Sequence, residues 1–177
     1  MDTTLDYRAA QAKFRPETID VLWVVESPPK GGGYFYFPTS ARRPFLFRET
    51  MVALRYLQPD DKPMHLGTEK KDYLEKFKAD NNFLIDLSYV PVDKMDDTER
   101  DAILRGNVQR LKKQVKKLNP KRILLIKKNV HIILYPELKD QYNVLNEEMI
   151  EFPAFGNQKK FREKVRRYLV DSEKQTL

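Results

Sequence analysis

The 177-residue chain contains no cysteine, which excludes a disulfide, a thiol nucleophile, an iron–sulfur cluster and any cysteine-ligated zinc site. Histidine is almost as scarce. His65 and His131 are the only two, in unrelated contexts, so a multi-histidine metal centre is excluded and a catalytic triad would have to use one of them. No apolar run approaches the roughly 20 residues of a membrane span, and the N-terminus lacks the basic-then-apolar layout of a secretory signal. A cytoplasmic protein with no membrane partner is therefore expected. The phosphate-cradling Gly-x-x-x-x-Gly-Lys-Ser/Thr motif is missing, Gly31-Gly32-Gly33 does not open a helix as a dinucleotide fingerprint does, and no Gly-x-Ser-x-Gly elbow surrounds Ser27. Internal repeats and low-complexity stretches are absent as well.

The residues that are present describe a folded protein. Hydrophobic residues make up 41% and aromatics 11%, spread along the chain, which argues against disorder even with 33% charged residues. The length suits one domain, expected over 19–177 behind an N-terminal extension at 1–18. A net charge of +7 favours a polyanionic partner such as nucleic acid, with a generic solvated basic surface as the alternative.

Val21-Leu22-Trp23-Val24-Val25 is an apolar run of the kind covered on both faces in a parallel sheet, and Glu26-Ser27-Pro28-Pro29 ends it. Helical spacing follows over 45–57 and again over 68–80. Residues 83–88 read as a second buried strand. A long helix is expected over 97–118, opened by the capping-box pair Asp96 and Glu99 and carrying a buried stripe from Ile103 to Leu118. Arg110, Lys112, Lys113, Lys116 and Lys117 fall on its other faces and read as a solvated surface. Asn119-Pro120 ends it, and 123–126 makes a third apolar strand. A short helix over 129–138, a weaker edge strand over 143–152 and a last helix over 157–171 complete the order. Alternating strands and helices imply a three-layer α/β/α fold around a four-stranded parallel sheet. In such a sheet the loops that start near Glu26, Asp86, Lys127 and Pro153 converge on one cleft.

Two carboxylates stand at these strand ends. Glu26 is suited to act as general base, to orient a water or to read a base edge, or else to cap the amides of its own loop. Asp86 sits in an apolar strand, where an ionised group is costly unless satisfied, as a second functional carboxylate or as an acceptor for loop amides. Lys159, Lys160 and Arg162 occupy the first turns of the last helix, where the macrodipole disfavours cations and an anion would reverse that preference.

The order of these loops resembles the uracil-DNA glycosylase superfamily over about residues 19–170. Val24-Val25-Glu26-Ser27-Pro28-Pro29 resembles that family's first motif, an apolar strand followed by a short active-site loop. Tyr34, Phe35 and Tyr36 fall where the family places an aromatic that stacks on the extruded base. The stretch from Phe83 through Asp86 to Pro91 resembles the strand that carries a base-reading Asn, here replaced by Asp86. Pro120 and the apolar strand after it resemble the family's third strand. Pro153, Ala154, Phe155 and Gly156 sit where the family has its His-Pro-Ser intercalation loop, without the histidine. The resemblance implies a DNA-binding, metal-independent and cofactor-free monomer that flips an altered base and releases it by hydrolysis, as a DNA glycosylase does. Glu26 and Asp86 would form the catalytic pair, and Arg42, Arg43, Lys159, Lys160 and Arg162 would hold phosphates. A non-catalytic binder of nucleic acid or nucleotide with the same fold is the alternative. The first motif is also similar to the start of a Toprim domain, but the Asp-x-Asp that fold needs is missing.

Overall fold

The structure is a computed structural model, and it describes residues 3–39, 43–61, 64 and 67–174. Among the described residues there are three strands, β1 (Val21–Val25), β2 (Asn82–Asp86) and β3 (Arg122–Leu125), and seven helices. These are α1 (Thr3–Lys13), α2 (Phe45–Ala53), α3 (Lys71–Ala79), α4 (Asp97–Gly106), α5 (Val108–Leu118), α6 (Lys128–Leu138) and α7 (Gln158–Lys174). The sheet is parallel throughout, in the order β2-β1-β3. All three strands therefore end at the same edge.

Every residue of β1 and β2 is buried, as expected of a central sheet covered on both faces. Trp23 is fully enclosed, donates its indole N–H to Asn82 Oδ1 at 2.9 Å and meets the ring of Phe77 on α3. Helix α1 belongs to the same packing, since Tyr7, Gln11 and Phe14 are buried. Helix α7 is clamped to α2. Arg166 donates to the carbonyls of Val52 and Ala53 at the end of α2, while Arg162 and Arg48 share the buried carboxylate of Glu49 at 2.5 and 2.7 Å.

Two expectations need correction. The long helix is two helices. Asp96 caps α4 as expected, accepting from the amides of Thr98 and Glu99 at 2.9 Å, but α4 ends at Gly106 and Asn107 separates it from α5. Glycine is a poor helix former, and the Asn107 carboxamide donates back to the Ile103 carbonyl at 2.9 Å, competing with the helical ladder. The second correction concerns the fourth strand, which does not form. Residues 143–150 run beside β3, with parallel bridges only at Val144 and Ile150. Between them the backbone leaves the ladder, and the Asn146 side chain takes its place. Its carboxamide accepts from the Leu125 N–H at 2.8 Å and donates to the Leu125 carbonyl at 2.9 Å, as a neighbouring peptide would. The sheet is three-stranded, with an irregular segment in the fourth position.

Candidate functional site

Parallel strands bring the ends of β1 and β3 side by side, and Glu26 and Lys127 follow them closely. Glu26 is buried. One carboxylate oxygen is ion-paired with the Lys127 ammonium, and the other accepts from Asn129 Nδ2 at 3.2 Å. The Lys127 N–H donates to the Ile150 carbonyl at 2.8 Å, and its ammonium lies 5.8 Å from the centroid of Phe152. Glu26, the start of α6 and the segment leading to α7 thus meet at the strand-exit edge. Lys127 and Asn129 complete this group although neither is obvious from local sequence. Their positions after the third parallel strand are the signal that places them there.

The backbone at this edge is strained. Lys127 has φ 84° and ψ 143°, a region that costs a residue with a side chain on the order of 1–3 kcal/mol and that clusters at functional sites. Phe155 has φ 52° and is followed by Gly156 at φ 87°. Pro153 and Ala154 are buried and anchor the loop, while the Phe155 ring is 99% exposed at its tip. A large aromatic ring left wholly in water by a strained residue is a feature that folding alone does not call for.

Asp86 belongs elsewhere. It pairs in register with Val25, so the pleat turns the next residue, Glu26, to the opposite face of the sheet. The Asp86 side chain is buried and accepts the Tyr34 hydroxyl at 2.9 Å. Burial pushes its carboxyl up to about 7, against the opposing effects of that hydrogen bond and of Arg110. The Tyr34 oxygen also receives Gln11 Nε2 at 3.3 Å, and the Gln11 carbonyl oxygen accepts the Tyr89 hydroxyl at 3.1 Å. Asp86 is thus the end of a buried polar chain and shares no side-chain partner with Glu26.

Tyr34, Phe35 and Tyr36 are core residues, each less than 5% exposed, packed among Tyr7, Phe14, Phe37, Phe47 and Phe77. None has a free face on which a base can stack. Tyr36 instead serves the sheet. Its hydroxyl accepts from the Leu84 N–H at 2.7 Å and donates to the Leu84 carbonyl at 3.0 Å, closing the free edge of β2.

The expected phosphate ligands divide. Arg42 lies outside the described residues. Arg43 and Arg162 line one cleft of about 410 Å³ with Gln158 at the start of α7. Arg162 is engaged with Glu49, Lys160 is paired with Glu151 at 2.5 Å, and Lys159 reaches Glu163 only at 3.9 Å. Glu26 lines neither this cleft nor the one between α1 and α5. Among the described residues, no group of three His, Asp or Glu side chains is placed to hold a metal ion, and no helix is long and apolar enough to cross a membrane. No family model and no curated protein matches this chain.

Proposed function

We propose that this chain is a nucleic-acid-binding protein that engages DNA at the strand-exit edge of its sheet, with Phe155 as a wedge between bases. The exposed, strained Phe155, three residues after the Phe152 ring that Lys127 approaches, carries this reading. An aromatic wedge gains its burial by unstacking a base step, and the cations at the start of α7 lie next to it in the chain. A helix N-terminus with neighbouring Lys and Arg is a ready phosphate contact. Duplex DNA with a mismatch costs less to unstack, so binding to a mismatched duplex should exceed binding to the paired duplex by about tenfold. Phe155→Ala should abolish that preference and leave the melting temperature unchanged, because the ring is almost wholly in solvent. Fluorescence anisotropy with the two duplexes reads this. Equal affinities that the substitution does not alter would refute the wedge.

Base excision in the manner of the uracil-DNA glycosylase superfamily is the second reading. It is favoured by the carboxylate, cation and amide that meet at Glu26, Lys127 and Asn129. In it Glu26 orients a water and takes its proton as the oxygen adds at the anomeric carbon, while the glycosidic bond breaks and its electron pair leaves on the base as an anion. With Asp86 and the three aromatics in the core, base selection falls to the Glu26 side of the sheet. A panel of duplexes carrying uracil, hypoxanthine or oxidised pyrimidines should then yield abasic sites with the native chain and none with Glu26→Gln. Retained binding with no release across the panel would leave the binding protein alone.

A further inference from the structure

Some basic side chains of the surface are ion-paired, as in Arg105 with Asp101 at 2.7 Å, Lys112 with Glu137 at 2.8 Å and Lys121 with Asp20 at 2.7 Å. One cleft gathers five that are not. Helices α1 and α5 enclose about 370 Å³ beside the edge of β2, and the walls carry Arg8, Arg15, Arg110, Lys113 and Lys117 with no Asp or Glu. Among the described residues none of the five makes an ion pair.

Arg110 is the deepest of them and its donors go to neutral acceptors. It reaches the carbonyls of Asp86 and Leu87 at 2.9 and 2.6 Å, Asn107 Oδ1 at 3.1 Å and Gln114 Oε1 at 2.7 Å. Burial, with the charge of Arg8 added to it, draws its guanidinium below the ordinary value, while Tyr89 and Asp86 oppose this. Asp86 does not line the cleft, and its carboxylate is bound to Tyr34. The guanidinium groups of Arg8 and Arg110 both lie over the Tyr89 ring, at 4.9 and 4.7 Å from its centroid. Two like charges are thus held around one ring in a cleft whose walls carry no counter-charge, an arrangement that an anion relieves.

Spacing identifies the anion. Arg8 lies on α1 and Arg15 two residues beyond its end, while Arg110, Lys113 and Lys117 cover about 10 Å of α5 at a rise of about 1.5 Å per residue. Cations distributed along two facing walls suit a row of phosphates better than one compact group. At about 370 Å³ the cleft does not hold a duplex, and Tyr89, buried and with guanidinium groups over its ring, offers no platform for a base. We propose that this cleft holds the sugar–phosphate backbone of a single nucleic-acid strand, bound without sequence preference. This rests on reading the chain as a nucleic-acid binder, but not on the wedge at Phe155.

Arg110 supports the end of β2 and is left intact in the test. The full chain, a triple variant Arg8→Gln, Lys113→Gln, Lys117→Gln, and a charge-matched control Lys76→Gln, Arg105→Gln, Lys116→Gln are titrated with a labelled fifteen-residue oligo-dT at several salt concentrations. Circular dichroism confirms that each variant is folded. At about 0.7 counterions per phosphate contact, the triple variant should lose about two units from the slope of log K against log salt. Its affinity in low salt should fall at least tenfold, and the control should match the native chain. Equal losses in variant and control would reduce the effect to net charge and overturn the proposal, as would native binding that the triple variant retains. Displacement of the oligonucleotide by an equimolar amount of inorganic tripolyphosphate would assign the cleft to a compact anion and also overturn it. Loss of oligo-dT binding in the triple variant, with the duplex preference insensitive to Phe155→Ala, would keep the cleft and reject the wedge. A native chain that binds neither oligonucleotide nor duplex would reject both.

Discussion

Lys70→Met should stabilise the protein by about 3 kcal/mol at pH 6–7 and remove the rise in stability that the native chain shows above pH 7. Lys70 is completely buried. Its backbone caps the start of α3, and its amine donates to the Tyr34 carbonyl at 2.7 Å and lies 4.6 Å from the centroid of Phe47. No carboxylate accompanies it, and burial pushes its amine down from 10.5 to about 7. Between these values the unfolded chain binds the extra proton, so native stability increases with pH from about 7 to about 10.5; below 7 the amine is charged in both states and the full penalty applies. Methionine fills a similar volume without a charge to desolvate. The gain is the several kcal/mol implied by that displacement, less about 1 kcal/mol for the lost hydrogen bond. The Tyr34 carbonyl keeps the Phe37 N–H as a donor, at 3.2 Å, so it is not orphaned. Asp86 acts in the opposite sense. Its carboxyl titrates near 7 when folded and near 3.8 otherwise, so the folded chain binds the extra proton in that window and stability falls as pH rises from about 4 to about 7. The two groups together place a stability minimum near neutrality. Urea unfolding at pH 5, 7 and 9 measures the profile, and parallel curves for the native chain and Lys70→Met would show that Lys70 does not titrate in this range.

The parts of the fold that are legible in the sequence are those set by local pattern. Five consecutive apolar residues mark β1 as covered on both faces, and Asp96 with Glu99 marks the start of α4. The alternation of strands and helices then implies that strand ends share an edge, and this is how Glu26 and Lys127, 101 residues apart, become neighbours. The illegible parts depend on partners far away in the chain. An aspartate ending an apolar strand looks the same whether it faces solvent or a tyrosine 52 residues earlier. An aromatic cluster behind three glycines suits a stacking platform and a core equally, and only the helix α1 that covers Tyr34 decides between them. Arg110 reads as solvated because it lies on the polar side of an amphipathic helix, but the sheet ends so close to that helix that its guanidinium meets the carbonyls of Asp86 and Leu87. The net charge points to a polyanion without locating it. The unpaired cations of the α1–α5 cleft offer a place for it, away from the run at the start of α7 to which the dipole argument leads.

Asn146 explains the missing strand, and its replacement should be among the most damaging in the molecule. Residues 143–145 begin a ladder against β3, with the Asn143 carbonyl accepting from Ile123 N–H at 2.9 Å and the Leu145 N–H donating to the Ile123 carbonyl at 2.8 Å. A continued strand would next serve Leu125, whose N–H and carbonyl both point to this side. Asn146 serves them instead with its side chain, and the same amide also donates to the Glu148 carbonyl at 3.0 Å. Its own carbonyl meets His131 Nε2 at 3.1 Å. With a fully enclosed carboxamide standing in for a peptide, the backbone is free to leave the sheet and to return at Ile150, which accepts the Lys127 N–H. Asn146→Ala leaves a donor and an acceptor of Leu125 unpaired in a site closed to water, at roughly 1–3 kcal/mol each. The expected loss is about 3–5 kcal/mol, or roughly 6–20 °C in melting temperature for a chain of this size. Asn146→Asp should be nearly as harmful, because a carboxylate has no proton for the Leu125 and Glu148 carbonyls. Since Lys127 is held by Ile150 and pairs with Glu26, either change should also slacken the strand-exit edge. Amide exchange read by mass spectrometry should therefore accelerate first over 123–128 and 144–151. Protection there equal to that of the native chain would mean that the irregular segment is held by its apolar contacts, with Asn146 a passenger.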